Sequence, residues 1–189
     1  MFSEEEKAQK KEQMLRDCFS IFVKQGLENT SISDLAKQCH TYKAALYNYF
    51  KSKDEIVIEG AKMYMTDLDE ILQKVILNPK GSLEEALSSG FEILRKETNN
   101  LRYIYQVVSS PKYGRNSREA LSEIYMKYLD YSKVFAEIYG VEHDKFRPYF
   151  LLFVSTMHDY CMWGNEILAK EKLNYIFNKV TELEKNKAN

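Results

Sequence analysis

The stretch SISDLAKQCHTYKAALYNYF, residues 31 to 50, decides how the N-terminal part of the chain folds. It reads as two short helices joined by a tight turn. Thr30 or Ser31 can cap the first, because their hydroxyls accept hydrogen bonds from free amides. Asp34 adds negative charge in the first turn, where the helix dipole favours it. Ile32, Leu35 and Ala36 supply an apolar face, and the helix is expected to end near Cys39. His40 to Lys43 then lead into AALYNYF. At about 100° per residue, Lys43, Ala44, Tyr47, Asn48 and Lys51 fall on one side of the second helix. Leu46, Tyr49 and Phe50 fall on the other. The first side is basic and hydrogen-bonding, the second apolar. A helix-turn-helix of this kind sets the start of its second helix against base edges in a major groove. The small side chains of Ala44 and Ala45 allow a close approach.

Upstream, from Glu4 to Gln25, Met14, Leu15, Cys18, Phe19 and Phe22 recur at three- and four-residue steps, the stripe of an amphipathic helix. Phe19 and Phe22 offer a surface for the apolar side of the second short helix, and Gly26 supplies a left-handed stop. Downstream, the charged step KSKDE precedes a periodic run from about Asp54 to Ile76. NPKGS, residues 78 to 82, is the clearest break, after which Ser82 and Glu85 form a capping box. The next loop signal is SSPKYGRNS, residues 109 to 117, with Asn116 and Glu119 opening a helix that Gly140 closes. PYFLLFVSTMHDYCMW, residues 148 to 163, is the most apolar stretch, and a last helix, roughly Glu166 to Glu184, ends in the polar tail KNKAN. No strand-like alternation interrupts these patterns. The expected fold is all-α: an N-terminal three-helix helix-turn-helix domain over residues 1–53 and a helical body over 54–189, about nine helices in total.

Composition agrees. Of 189 residues, 44% are apolar and 29% charged, with seven Gly and three Pro. Those values argue against a turn-rich β protein, a collagen-like chain or a disordered one. No apolar run approaches the ~20 residues that span a bilayer, and the start, MFSEEEKAQKKEQ, lacks the apolar segment of a secretory signal. Cys18, Cys39 and Cys161 form no CxxC pair. A reducing, cytoplasmic location is expected, without a membrane partner. The net charge of −1 conceals a gradient: residues 1–53 balance at +2 and residues 54–189 at −3. Between residues 36 and 53 there are four lysines (Lys37, Lys43, Lys51 and Lys53) and no acid. Basic charge is thus concentrated where nucleic acid would be met.

Residues 14 to 56, and within them FVKQG, TSISDLA and LYNYFKSKDE, resemble the DNA-binding head of the tetracycline-repressor (TetR) family. The resemblance implies a transcriptional regulator, a repressor bound as a homodimer to a palindromic operator of double-stranded DNA and released by a small-molecule effector. Lys43, Ala44 and Ala45 match positions at the head of the recognition helix that meet base edges. Tyr47, Tyr49, Lys51 and Lys53 match positions that hold phosphates, with Asn48 on the same outer side. Ser31 and Ser33 match further contacts at the start of the preceding helix. The family's usual turn, Gly-Val-Ser, is replaced by His40, Thr41 and Tyr42, of which Thr41 and Tyr42 are counted with the candidate DNA contacts. Loss of Gly raises the cost of a left-handed turn residue, although His tolerates it better than a branched residue does. Loss of Ser moves the expected cap to Thr41.

The resemblance further implies a body that binds the effector between its middle helices and dimerises through its last two. Candidates for the pocket are Met63, Tyr64, Phe91, Tyr103, Tyr105 and Tyr125, with Tyr128, Met157, His158, Tyr160, Met162 and Trp163. Aromatic walls of this kind suit an aromatic or cationic ligand. Candidates for the dimer interface are Phe150, Phe153, Val154, Leu173, Ile176, Phe177 and Val180; the stripe on the last helix could equally pack on its own body.

Two other readings exist. A helical adaptor that has lost DNA binding is suggested by the altered turn. A small metal-dependent hydrolase is suggested by His158-Asp159, which is similar to the HD pair of metal phosphohydrolases. Those enzymes need several more His ligands, and this chain has only His40 and His143 besides. Asp67, Asp69 and Glu70 are expected on a solvated helix face. No Gly-rich phosphate loop, GxSxG elbow or HExxH is present, so no catalytic residue, metal site or cofactor is assigned.

Overall fold

A computed structural model describes residues 3–77 and 81–186. The first three residues of NPKGS and the last three of the polar tail lie outside the described residues. Among the described residues there are nine helices and no strand: α1 (Glu4–Gln25), α2 (Ile32–Gln38), α3 (Lys43–Tyr47), α4 (Lys53–Leu77), α5 (Leu83–Lys96), α6 (Thr98–Ser109), α7 (Gly114–Tyr139), α8 (His143–Trp163) and α9 (Glu166–Asn186).

Local chemistry accounts for several of the helix starts. Ser31 and Asp34 cap α2 reciprocally, and Ser82 and Glu85 do the same for α5. At the start of α4, the Ser52 hydroxyl accepts from the Glu55 amide and the Glu55 carboxylate accepts from the Lys51 amide, so the charged step KSKDE is itself a helix start.

Three boundaries differ from the sequence reading. Helix α7 begins at Gly114, ahead of Asn116: a Cβ at Gly114 would lie 2.7 Å from the Val108 carbonyl oxygen, so only glycine lets the helix start this close to α6. Helix α8 begins at His143 and carries Pro148 inside it, on its exposed side. A break at Glu97, absent from the sequence reading, separates α5 from α6.

The chain packs as two units. One comprises the residues up to Asp67 together with Arg102–Ser122; the other comprises Leu68–Leu101 and the residues from Glu123 onward. The first unit therefore continues past residue 53 along α4. Its core takes Met14, Leu15, Cys18, Phe19 and Phe22 from α1, Leu35 from α2, Leu46 from α3, and Phe50, Ile56 and Val57 after it. Phe19 stacks on Tyr64 at 4.8 Å between centroids and meets Tyr103 edge-on at 5.2 Å. Aromatic contacts of this kind add to the stabilisation from burying apolar area.

In the second unit, α8 and α9 form a hairpin through Gly164, whose φ of 63° is left-handed. Ile176 and Val180 of α9 are completely buried, and Phe135, Phe146 and Phe150 form a ring cluster. Glu184 accepts from the Leu83 amide at 3.1 Å, and Thr181 donates to Glu84 at 3.0 Å, fastening α9 to the start of α5.

Asp69 corrects the expectation of a solvated acidic face: it is buried in this unit and accepts from Lys127 at 2.6 Å, Gln73 at 2.7 Å and the Tyr131 hydroxyl. Burial pushes its carboxyl upward, but those donors and the Lys127 charge outweigh burial and hold it below the usual carboxylate range. Asp67, in the first unit, pairs with Arg16 at 2.5 Å. No group of three or more His, Cys, Asp or Glu able to hold a metal occurs among the described residues.

Candidate nucleic-acid interface

The turn after α2 is built by backbone hydrogen bonds. The His40 amide donates to the Lys37 carbonyl at 3.1 Å and the Thr41 amide to the Ala36 carbonyl at 2.9 Å, the paired bonds of a Schellman motif. His40, at φ 49°, takes the left-handed position and is the one non-glycine residue with positive φ among the described residues. The family's glycine is thus replaced without loss of the turn. The expected cap is corrected: Tyr42, not Thr41, is the residue before α3, and it makes no side-chain cap bond. Tyr42, in the place of the family's serine, is thus the residue before the helix, and α3 starts at Lys43.

The two sides of α3 are as the helical projection places them. Leu46 and Phe50 are buried, whereas Tyr42, Lys43, Ala44, Tyr47, Asn48 and Lys51 are exposed. Ala45 and Thr41 are intermediate. Tyr49 is half-buried and lies with Asn48, Lys7 and Lys11 along a groove of about 520 Å³ beside the first turns of α1. Ser33 is exposed. The Ser31 hydroxyl is occupied within its capping box, accepting from the Asp34 amide and donating to the Asp34 carboxylate at 2.6 Å.

Lys53 is placed differently from the other lysines. Its ammonium donates to the Leu27 carbonyl at 2.9 Å and sits 5.8 Å from the centre of the Phe22 ring. Burial lowers its pKa. Lys43 and Lys51 therefore present their charge outward, and Lys53 does not.

A capped helix, a left-handed turn and a short helix with a Lys, Tyr and Asn outer face, all at the N-terminal end of an all-helical chain, define a helix-turn-helix DNA-binding regulator. Comparison with known proteins narrows the class. Residues 19–59 match the family model for bacterial regulatory proteins of the tetR family. The chain is 24% identical over 157 residues to IcaR of Staphylococcus aureus, the negative transcriptional regulator of the biofilm operon icaADBC, a match covering 78% of this chain and 82% of that one. It is 29% identical over 94 residues to YerO of Bacillus subtilis, an HTH-type transcriptional regulator; that match covers 46% of this chain but only 32% of YerO. Its fold is similar to that of FadR of Bacillus subtilis solved with stearoyl-CoA, with a TM-score of 0.64, 19% identity, and coverage of 89% of this chain and 98% of that one. Residues 19–59 are thus a tetR-type DNA-binding head by their family-model match, and the chain as a whole is similar to TetR-family transcriptional regulators.

The pocket candidates are divided between the two units. Met63, Tyr64, Tyr103 and Tyr105 belong to the first unit, and the other eight pocket candidates to the second. Tyr64 and Tyr103 pack on Phe19. Phe91 and Met157 are buried, Tyr128 packs 5.7 Å from Tyr131, and Tyr125, His158, Met162 and Trp163 are exposed. Tyr160 and Trp163 line a groove of about 460 Å³ with Asp159, Leu168 and Lys172. Asp159 is held by Lys172 at 2.5 Å, and its carboxyl lies below the ordinary range because of that hydrogen bond; His158 stands 3.6 Å away.

The proposed interface also needs revision. Phe150, Phe153, Leu173, Ile176 and Val180 are buried within their own chain and Phe177 is half-buried. The apolar side chains left exposed on this hairpin are instead Leu151, Val154, Met162, Trp163, Ile167, Leu168 and Tyr175. Of the seven candidates only Val154 is among them. Periodicity alone could not separate the two stripes, because both faces of α8 and α9 carry large apolar residues.

Proposed function

We propose that the protein is a transcriptional repressor that binds a palindromic operator as a homodimer and leaves it when a small molecule binds the body. The observation that carries this reading is the outer face of α3, where Lys43, Tyr47, Asn48 and Lys51 stand exposed while Leu46 and Phe50 anchor the helix. Such a face supplies phosphate contacts that set register and short side chains that admit the backbone to base edges. One such helix reads few base pairs, so a specific site calls for two copies related by a two-fold axis. The exposed apolar residues Leu151, Val154, Ile167 and Tyr175 of the α8–α9 hairpin support that pairing.

Repression accords with the role of IcaR as a negative regulator. Release by a ligand accords with FadR solved with stearoyl-CoA. For the effector, the groove lined by Tyr160, Trp163, Asp159 and Lys172 supports a flat aromatic molecule with a polar group. The effector acts by population shift, favouring a conformation in which the two recognition helices no longer match the operator; its effect on DNA affinity is bounded by its differential affinity for the two states.

Selection of bound duplexes from a random-sequence pool tests the reading. Enrichment of an inverted repeat, carried in a complex of two chains per duplex by sedimentation, is expected. Failure to enrich any sequence, with helicity intact by circular dichroism, supports the adaptor reading instead.

A further inference from the structure

Two thiols lie in contact beside the helix-turn-helix turn. Cys18 is in the middle of α1, completely buried among the residues that hold the first unit together. Cys39 is the residue that ends α2, is only partly buried, and directly precedes His40. Their Sγ atoms are 3.5 Å apart, and Cys39 Sγ also lies 3.6 Å from the Met14 carbonyl oxygen. A disulfide bond is about 2.05 Å long, so the sulfurs stand roughly 1.5 Å short of a bond. The arrangement on α3 uses neither sulfur.

We propose that Cys18 and Cys39 form a peroxide-reactive dithiol whose oxidation to a disulfide weakens DNA binding. The weakening rests on the DNA-binding role of α3; formation of the bond does not. The two sulfurs have different roles. The hydrogen bond to Cys39, together with burial, pushes the Cys18 thiol up and keeps its proton in place. The same contact pulls Cys39 below the ordinary thiol range. Cys39 is also the more accessible sulfur.

The Cys39 thiolate attacks one oxygen of hydrogen peroxide, the O–O bond breaks, and hydroxide leaves as Cys39 becomes a sulfenic acid. The Cys18 sulfur then attacks Cys39 Sγ; its proton goes to the departing hydroxyl, which leaves as water, and the S–S bond forms. Two thiols lose two electrons in total, and the peroxide is reduced to two waters.

The remaining displacement falls on Cys39. Cys18 is fixed within a 22-residue helix by a packed core, whereas Cys39 closes a seven-residue helix. Moving it disturbs the His40–Lys37 and Thr41–Ala36 bonds that aim α3. Hydrogen bonds to base edges tolerate little displacement, so operator affinity falls.

The test uses the full reduced chain, a few molar equivalents of hydrogen peroxide, and a duplex selected by the reduced protein. Loss of two of the three thiols, a linked Cys18–Cys39 peptide by mass spectrometry, and a fall in DNA affinity of about tenfold or more that dithiothreitol reverses are expected. Cys39→Ala should lose the response and Cys161→Ala retain it. Reversal by dithiothreitol in the unaltered chain keeps the test valid if Cys39→Ala does not fold. Absence of the linked peptide overturns the dithiol, and a linked peptide with affinity changed less than twofold overturns the switch. An equal loss in folded Cys39→Ala also overturns it. If the reduced chain selects no DNA, the DNA-binding role fails and the weakening with it, while the mapped peptide still decides whether the dithiol exists.

Discussion

Lys53 donates from its ammonium to the backbone carbonyl of Leu27 at 2.9 Å, tying the first residue of α4 to the segment that follows α1. Lys51, two residues earlier, points to solvent. Two lysines of one KSK step thus do different work: one holds the helix-turn-helix together, the other is free to meet phosphate. Lys53→Met should cost roughly 1–2 kcal/mol of stability, the range for a hydrogen bond from a charged group that is partly screened. Lys51→Ala should leave stability within about 0.5 kcal/mol and weaken DNA binding at all sequences. Urea melts and fluorescence anisotropy on the two variants separate these effects.

His40 holds the left-handed position that turns α2 into α3. A branched side chain fits that region poorly, at a cost of roughly 1–2 kcal/mol. His40→Val should lose about that much stability, while His40→Gly and His40→Asn stay within about 0.5 kcal/mol. Equal melting of the Val and Gly variants would show that the turn residue is not left-handed.

Asp69 makes part of the stability pH-dependent. Its folded carboxyl lies below the usual range, so its contribution is complete above the unfolded value of about 4 and disappears as pH falls through the folded one. Between about pH 5 and 3 the unfolding free energy of the native chain should fall more steeply than that of Asp69→Asn. At neutral pH, Asp69→Ala should cost about 1–3 kcal/mol. It leaves the Tyr131 hydroxyl and Gln73 without their acceptor, while the half-exposed Lys127 turns to water. Parallel pH-dependent curves for native and Asn proteins would contradict this account.

The two faces of α9 separate folding from self-association. Ile176 is completely buried, and Ile176→Ala should cost about 2–5 kcal/mol. Ile167 is 75% exposed, so Ile167→Glu should leave the fold within about 0.5 kcal/mol and convert dimers to monomers in sedimentation velocity. A dimer undisturbed by Ile167→Glu and Val154→Glu together places the interface elsewhere.

The N-terminal unit was largely legible because its signals are local. A serine and an acid three residues apart cap α2, small residues mark the approach side of α3, and Leu46 and Phe50 fall opposite Lys43 and Tyr47 at helical spacing. What escaped depends on distant partners. Nothing near Asp69 in sequence announces Lys127 and Tyr131, which reach it from α7. Nothing near Lys53 shows that its ammonium will find the Leu27 carbonyl 26 residues away. On α8 and α9, apolar residues surround much of each helix, so which stripe faces inward is decided by packing with α5 and by the Lys172–Asp159 pair. At the Glu97 break, Thr98 is already the first residue of α6 and its hydroxyl donates back to the Arg95 carbonyl at 2.7 Å, so no side-chain capping signal marks the start.

The most direct test of the central claim is the salt dependence of binding to a selected inverted-repeat duplex. If each subunit neutralises about four phosphates, log affinity should fall against log salt with a slope of roughly −7 for two subunits. Lys51→Ala should reduce the slope magnitude by about 2 and Lys53→Met should leave it unchanged. A slope near zero, or one unaffected by Lys51→Ala, would contradict the assignment of α3 as the DNA-reading helix.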